Sequence, residues 1–283
     1  MHCRARDDVL QCHFWPSKVI NAPIRVIRAI RGFVPSYIIL SVTNWLRLAI
    51  RAAREAGTLL LTSGTGKVTH IDRDIKLEAD RRAEKIILDI LTKDSTFAIL
   101  AEESGFRAGT QLTDSLRWII DPLDGSSNFQ RQIPLCCVSV ALWRGLEPVL
   151  GVIYDFNRDE LFSGIVGEGA ELNQSKIQVS GTTETSQATL CTGFPVSTDF
   201  SPVALSKSID LVRQYKKVRL FGSAALSLAY VAVGRVDAYR EQDIRLWDVA
   251  AGLALVQAAG GKFEMQRSSV ENAFHVAASN GHF

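Results

Sequence analysis

The stretch "LRWIIDPLDGSSNF", residues 116–129, decides how the chain is read. Leu116 to Ile120 form an apolar run that reads as a strand. The run ends in Asp121 and Asp124, set around Pro122 and followed by Gly125, Ser126, Ser127 and Asn128. Pro122 stiffens the link between the two acids, and Gly125 lets the backbone approach a neighbour closely. Two carboxylates held together repel unless a cation or a proton sits between them. Hard carboxylate oxygens with no nearby His or Cys favour Mg²⁺ over Zn²⁺. Ser126, Ser127 and Asn128 read as the start of a helix whose free N–H groups form an anion site. Cations beside a helix N-terminus describe a site for a phosphate ester.

The same logic extends along the chain. "FAILAEES" reads as a buried strand ending in Glu102 and Glu103, and "WDVAAGLALVQAAGG" as a helix opening near Asp248 and stopped by Gly260 and Gly261. Acids commonly favour such positions through capping and the helix dipole. That plain reading is weakest for Asp121 and Asp124, which crowd each other. "NWLRLAIRAAREAGTLLL" and "DRRAEKIILDIL" have helical spacing, with Asn44 as the N-cap of the first. "LCCVSVALWRG" and "PVLGVIYDFNRDELFSGIVGEGAELN" read as successive antiparallel strands. Beyond them strands and helices alternate: "ATLCTGF", "SPVALSKSIDLVRQY", "KVRLFG", "SAALSLAYVAVG" and "VDAYRE". This is a layered α/β pattern, more antiparallel first and alternating later. "SGTGK" (63–67) is a loop; it lacks the earlier glycine and the Ser/Thr after lysine that a phosphate loop requires.

The bulk numbers set limits. The chain of 283 residues is long enough for one large domain or two closely packed ones. Its net charge of +2 provides no strong field for nucleic acid, and no nucleic-acid partner is expected. The five cysteines form no CxxC pair; they read as reduced thiols, Cys136 and Cys137 as strand core, and a cytoplasmic location is expected. The five histidines lack metal-ligand spacing. Residues 1–43 read as an N-terminal extension; from Asp8 to Glu55, across its end and into the first helix, no acid intervenes, while Lys18, Arg25, Arg28, Arg31, Arg47, Arg51 and Arg54 recur. A membrane-surface or targeting segment, an extension of little function, and translation from upstream of the true start all remain open for it. No apolar run there reaches the ~18–20 residues a transmembrane helix needs.

"AEES", "DPLDGSSNF" and "WDVAAGLALVQAAGG" resemble, in order and spacing, the signature motifs of the inositol monophosphatase family of Mg²⁺-dependent, lithium-sensitive phosphatases. "FGSAALSLAYVAVGRVDAY" and "GEGAELNQSKIQVS" are similar too, so the likeness covers 44–283. It implies an α+β fold, a layered αβαβα sandwich of the sugar-phosphatase type, and commonly a homodimer. It implies that Glu102, Asp121, Asp124, Asp248 and the Leu123 carbonyl hold Mg²⁺. Gly125 and Ser126 match the pair that cradles phosphate, Ser126 standing where the family usually has Thr. Gly222, Ser223, Ala224 and Glu241 match the substrate side, Glu241 facing a sugar hydroxyl. For the acid that orients the attacking water, "VTHID" offers Asp72; "EADRRAE" offers Asp80, which keeps the four-residue spacing to Glu84. Asp80 is the choice made here, with catalytic roles also for Glu102 and Ser126. Lys67 then matches a lysine of the metal-site loop. The chain stops after "HVAASNGHF", where relatives usually add one more helix.

The reaction implied is hydrolysis of a small phosphate monoester by water attack, with inositol 1-phosphate as substrate. Fructose 1,6-bisphosphate and a 3′-phosphonucleotide are alternatives within the class, although "GSSNF" is nearer the inositol type. A regulatory binding protein with weak catalysis is the alternative from another class.

Overall fold

The computed structural model describes residues 36–63, 68–71, 74–109, 116–195, 198–270 and 273–283. The order opens with α1 (Ser36–Ser63), the hairpin β1 (Val68–Ile71) and β2 (Asp74–Leu77), then α2 (Glu78–Asp94). Next come β3 (Ala98–Ala101), β4 (Gly105–Arg107), β5 (Leu116–Asp124) and the short α3 (Ser126–Gln130). A meander follows: β6 (Cys137–Arg144), β7 (Glu147–Asp155), β8 (Glu160–Ile165), β9 (Gly169–Leu172) and β10 (Ser175–Ile177). The later half holds β11 (Thr189–Thr192), α4 (Pro202–Val212), β12 (Lys217–Arg219), α5 (Ala224–Ala232) and β13 (Ala238–Arg245). It closes with α6 (Leu246–Ala258), β14 (Lys262–Arg267) and β15 (Ala273–Ser279).

Two sheets organise the layers. One runs β10-β9-β8-β7-β6-β5-β3-β4 and the other β12-β11-β13-β15-β14. In the first, only β3 and β5 are parallel. In the second, β11 runs parallel to both β12 and β13. The antiparallel first half and alternating second half of the sequence thus become two mixed sheets, and the layered α+β arrangement is as expected.

Strand β5 is mostly apolar and almost wholly buried, because both of its faces are covered; Arg117 and the two aspartates are its polar positions. Trp118 and Ile120 pack in one core with Val138, Val140, Leu142 and Val152, under α1 and α2. Those helices meet through small residues, Ala49, Ala52, Ala53 and Ala56 on one and Ala79 and Ala83 on the other. Glu78 and Asp80 in the first turn of α2 and Lys93 in its last suit the helix dipole. Ile119, facing the other way, joins a second core with Cys137, Ala141, Trp143 and Phe162. Helices α5 and α6 fill that core, closed beyond by Tyr239, Met265, Val276 and Ala278 of the second sheet. Buried from Val249 to Val256 between two sheets, α6 has no polar stripe there, as its central run of Ala, Leu, Val and Gly requires.

Three readings change. Asn44 is not an N-cap: α1 begins at Ser36 and passes through it, an exposed position where Asn is tolerated in a helix. The hairpin β1–β2 follows the loop read at 63–67, in a stretch to which the sequence assigned no element. Strand β5 does not stop at Asp121 but carries both aspartates. Lys67, Asp72 and residues 1–35 lie outside the described residues. Among the described residues no helix is long and apolar enough to cross a membrane.

Candidate metal and phosphate site

The site grows from an irregularity in β5. Across the β5–β6 ladder Asp121 pairs with Ser139 and Asp124 with Cys137. Three steps on β5 therefore match two on β6, and β5 carries one extra residue, a β-bulge. Residues three apart in a regular strand point to opposite faces. The bulge removes that offset and turns both aspartates to the face shared by Ser139 and Cys137. Pro122, with no N–H to give the ladder, sits within the bulge, where proline is tolerated.

Local hydrogen bonds fix each carboxylate. Asp121 Oδ1 accepts the Leu123 N–H at 2.9 Å. The Ser126 hydroxyl donates to the Leu123 carbonyl at 3.0 Å, so the phosphate-side hydroxyl and the candidate carbonyl ligand are adjacent. Gly125 joins strand to α3 at φ 87°, in the left-handed region. A Cβ there would stand 2.7 Å from the Leu135 carbonyl oxygen, so both backbone shape and space demand glycine.

Other elements bring the remaining acids. Strand β3 pairs Ala101 with Ile120 of β5, which sets the next residues, Glu102 and Asp121, side by side. Glu102 is near enough to help raise the Asp121 carboxyl above its ordinary range. Glu84 of α2, one turn beyond the buried Asp80, accepts the Glu103 N–H at 2.9 Å and so anchors the turn after β3. Asp248 stands in the first turn of α6, where it accepts the Arg245 N–H at 3.1 Å. Asp124 Oδ2 reaches across to α5, accepting the Ala225 N–H at 2.8 Å and the hydroxyl of Ser223. Ser223 is itself the N-cap of α5 and accepts the Leu226 N–H at 3.2 Å. Carboxylate oxygens of Asp121, Asp124 and Asp248 all lie within 4.8 Å of one another. Glu102 adjoins this triplet through Asp121.

On the substrate side, Asn128 Nδ2 donates to the Phe221 carbonyl at 2.7 Å and to the Leu135 carbonyl at 2.8 Å. It thereby ties α3 to the turn holding Gly222. Glu241 lies on β13 and is partly exposed; its Oε2 accepts the buried Tyr239 hydroxyl at 2.8 Å.

Electrostatics single out the cluster. Burial holds Asp121 well above the ordinary carboxylate range, reinforced by Glu102, Asp124 and Asp248. Asp248 is raised the same way, first by enclosure and then by Glu102, Asp124 and Glu241. Burial lifts Asp124 to about 6 even though Ser223 and Ala225 hydrogen bonds oppose the rise. Glu241 is lifted to about 7, again by burial, with Tyr239 opposing. No ion pair among the described residues involves Asp121, Asp124 or Asp248 to balance their charge.

A hard divalent cation fits this environment. The donors are crowded carboxylate oxygens, and the buried Ser139 hydroxyl opposite Asp121 has no hydrogen-bond partner among the described residues. One expectation needs correction: a cysteine is nearby. Cys137, cross-strand from Asp124, places Sγ 3.8 Å from Asp124 Oδ2. Burial, then Asp124 and Asp121, push its thiol well above the usual range. It stays a neutral thiol, not a thiolate ligand, and the donor set remains oxygen. Cys137, Ser139 and Tyr239 were missed as neighbours of the site because only strand pairing and layer packing bring them there. Cys136, Cys137 and Cys191 are free and buried, Cys137 and Cys191 in strands and Cys136 in the core just before β6.

Residues 41–281 match the inositol monophosphatase family. The chain belongs to that family. It is 41% identical over 223 residues to the Nus factor SuhB of Xylella fastidiosa, covering 76% of this chain and 80% of that protein. It is 40% identical over 232 residues to the inositol-1-monophosphatase of Synechocystis, covering 77% of each. The solved inositol monophosphatase of Anabaena superposes with a TM-score of 0.73 at 36% identity, over 86% of this chain and 92% of that one. Family membership supports a phosphatase, and the acidic cluster lies on the motifs through which the sequence resembled the family.

Proposed function

We propose that the protein is a Mg²⁺-dependent phosphate monoester hydrolase that acts on inositol 1-phosphate. The observation that carries this reading is the triplet Asp121, Asp124 and Asp248, with oxygens within 4.8 Å and no cationic side chain paired to it among the described residues. In this reading Glu102, Asp121, Asp124, Asp248 and the Leu123 carbonyl hold the cations. Bound there, Mg²⁺ supplies Lewis-acid polarisation of the phosphate and a more acidic water. Ser126 and Asp80 orient the attacking water; Ser126 has its hydroxyl beside the Leu123 carbonyl, and Asp80 is buried in the first turn of α2. Gly125 and Ser126 cradle the phosphate, while Gly222, Ser223, Ala224 and Glu241 face the alcohol. Positioning and electrostatic stabilisation are the main contributions in such phosphoryl transfer.

The same proposal places the catalytic unit at 44–283, with residues 1–43 as an extension dispensable for turnover, and includes a homodimer and a cytoplasmic location. Phosphate release from inositol 1-phosphate, fructose 1,6-bisphosphate and adenosine 3′,5′-bisphosphate, with and without Mg²⁺, tests it. Inositol 1-phosphate should give the highest kcat/KM; a preference for either bisphosphate would overturn the substrate assignment. The name Nus factor borne by the Xylella relative favours a second reading, a regulatory binding protein with weak catalysis. Turnover with Mg²⁺ at least ~10²-fold above that of an Asp124→Asn variant would argue against that second reading.

A further inference from the structure

On the inward face of the second sheet, β11 and β13 run parallel, with Cys191 beside Tyr239 and Thr192 beside Arg240. The next residues in register are Gly193 and Glu241. Side chains two apart on a strand share a face, so Glu241 follows the core residue Tyr239 toward the α5–α6 layer and the acidic cluster. Two independent contacts then fix its carboxylate. The hydroxyl of the fully buried Tyr239 donates to Oε2 at 2.8 Å. The carboxylate also lies directly over Gly193: a Cβ built there would stand 2.6 Å from both Oε1 and Oε2. No side chain other than hydrogen leaves that position open to Glu241.

We propose that Tyr239 and Gly193 are specificity-determining positioning residues, which hold Glu241 as a hydrogen-bond acceptor for a hydroxyl of a polyol phosphate. This rests on the hydrolase reading above. Tyr239 spends its hydroxyl on one oxygen of Glu241 and, being rooted in the core, cannot follow a displaced carboxylate. Gly193 provides the floor on which the carboxylate rests. A substrate with a ring hydroxyl next to its phosphate profits from a pre-placed charged acceptor, which makes the stronger class of hydrogen bond. An ester without such a hydroxyl gains nothing from it. The contact is made before and during reaction alike, so its loss should appear in KM more than in kcat.

The test compares wild type, Tyr239→Phe and Gly193→Ala on inositol 1-phosphate and on p-nitrophenyl phosphate, with Mg²⁺ present. Calorimetric binding of myo-inositol and of inorganic phosphate to the same three proteins is the readout independent of turnover. Both variants should lose about five- to tenfold in kcat/KM for inositol 1-phosphate, mostly through KM, on the scale of one hydrogen bond weakened rather than abolished. Their kcat/KM for p-nitrophenyl phosphate should stay within about twofold of wild type. Binding of myo-inositol should weaken in both variants, and binding of inorganic phosphate should not. Parallel losses on both esters would show a merely structural role and overturn the proposal, as would unchanged discrimination in both variants. A wild-type protein that hydrolyses neither ester would overturn the hydrolase reading itself, and this inference with it.

Discussion

Asp124 Oδ2 accepts the Ala225 backbone N–H at 2.8 Å, and with it the hydroxyl of Ser223. One carboxylate of the β5 bulge is thus locked to the N-terminus of α5. The acidic motif of the first sheet and the turn before α5 are joined through one carboxylate oxygen.

Asp124→Asn should therefore fold and fail to turn over. The carboxamide keeps one oxygen that can accept the Ala225 N–H, and removing a charge from a crowded acidic cluster relieves repulsion. Phosphate release should fall at least ~10²-fold, the scale of losing an electrostatic catalytic element. Circular dichroism and thermal unfolding close to wild type, together with that loss, would fit; near-normal turnover would remove Asp124 from the reaction.

Glu84 should matter through the turn that it anchors. Glu84→Ala leaves the Glu103 N–H without the carboxylate it now meets at 2.9 Å. A fully buried unsatisfied donor costs about 1–3 kcal/mol, and this part-buried one should sit at about the lower end. Glu84→Gln keeps an acceptor in place and should recover most of that loss. Urea unfolding of the two variants checks the order; equal destabilisation would show that the contact contributes little.

How the site forms explains why only part of it could be read along the chain. The acids stood out because carboxylates at strand and helix ends break apolar runs. The bulge did not, since its evidence is the pairing of Asp121 with Ser139 and of Asp124 with Cys137 on another strand. A regular strand would have pointed the two aspartates apart. Cys137 read as strand core, and it is; Tyr239, on a strand from its sequence, is fully buried too, and the second role of each depends on which carboxylate the fold sets beside it. Asn44 misled because N-cap preference is a local signal of about 1 kcal/mol. It cannot reveal that the helix already began at Ser36.

The metal-free protein should become less stable as pH rises. Enclosure raises Asp121 and Asp248 well above their ordinary values and Asp124 to about 6. Between about pH 4 and 6 the folded state binds more protons than the unfolded chain, so unfolding free energy falls with increasing pH. The stabilisation is complete below the unfolded-state value near 4 and is lost as pH passes through the raised folded values. Mg²⁺ competes with those protons and should reverse the trend, raising Tm more at pH 8 than at pH 5. Thermal scans of chelated and Mg²⁺-loaded protein across this range test the sign; a chelated protein that gains stability from pH 4 to 7 would contradict it.

The central claim is that the Asp121, Asp124 and Asp248 carboxylates hold a hard cation on which phosphate ester hydrolysis depends. The most direct test is phosphate release from inositol 1-phosphate after exhaustive chelation, followed by stepwise return of Mg²⁺. Turnover should fall at least ~10²-fold on chelation and return with Mg²⁺. Undiminished turnover in the chelated protein would contradict the account.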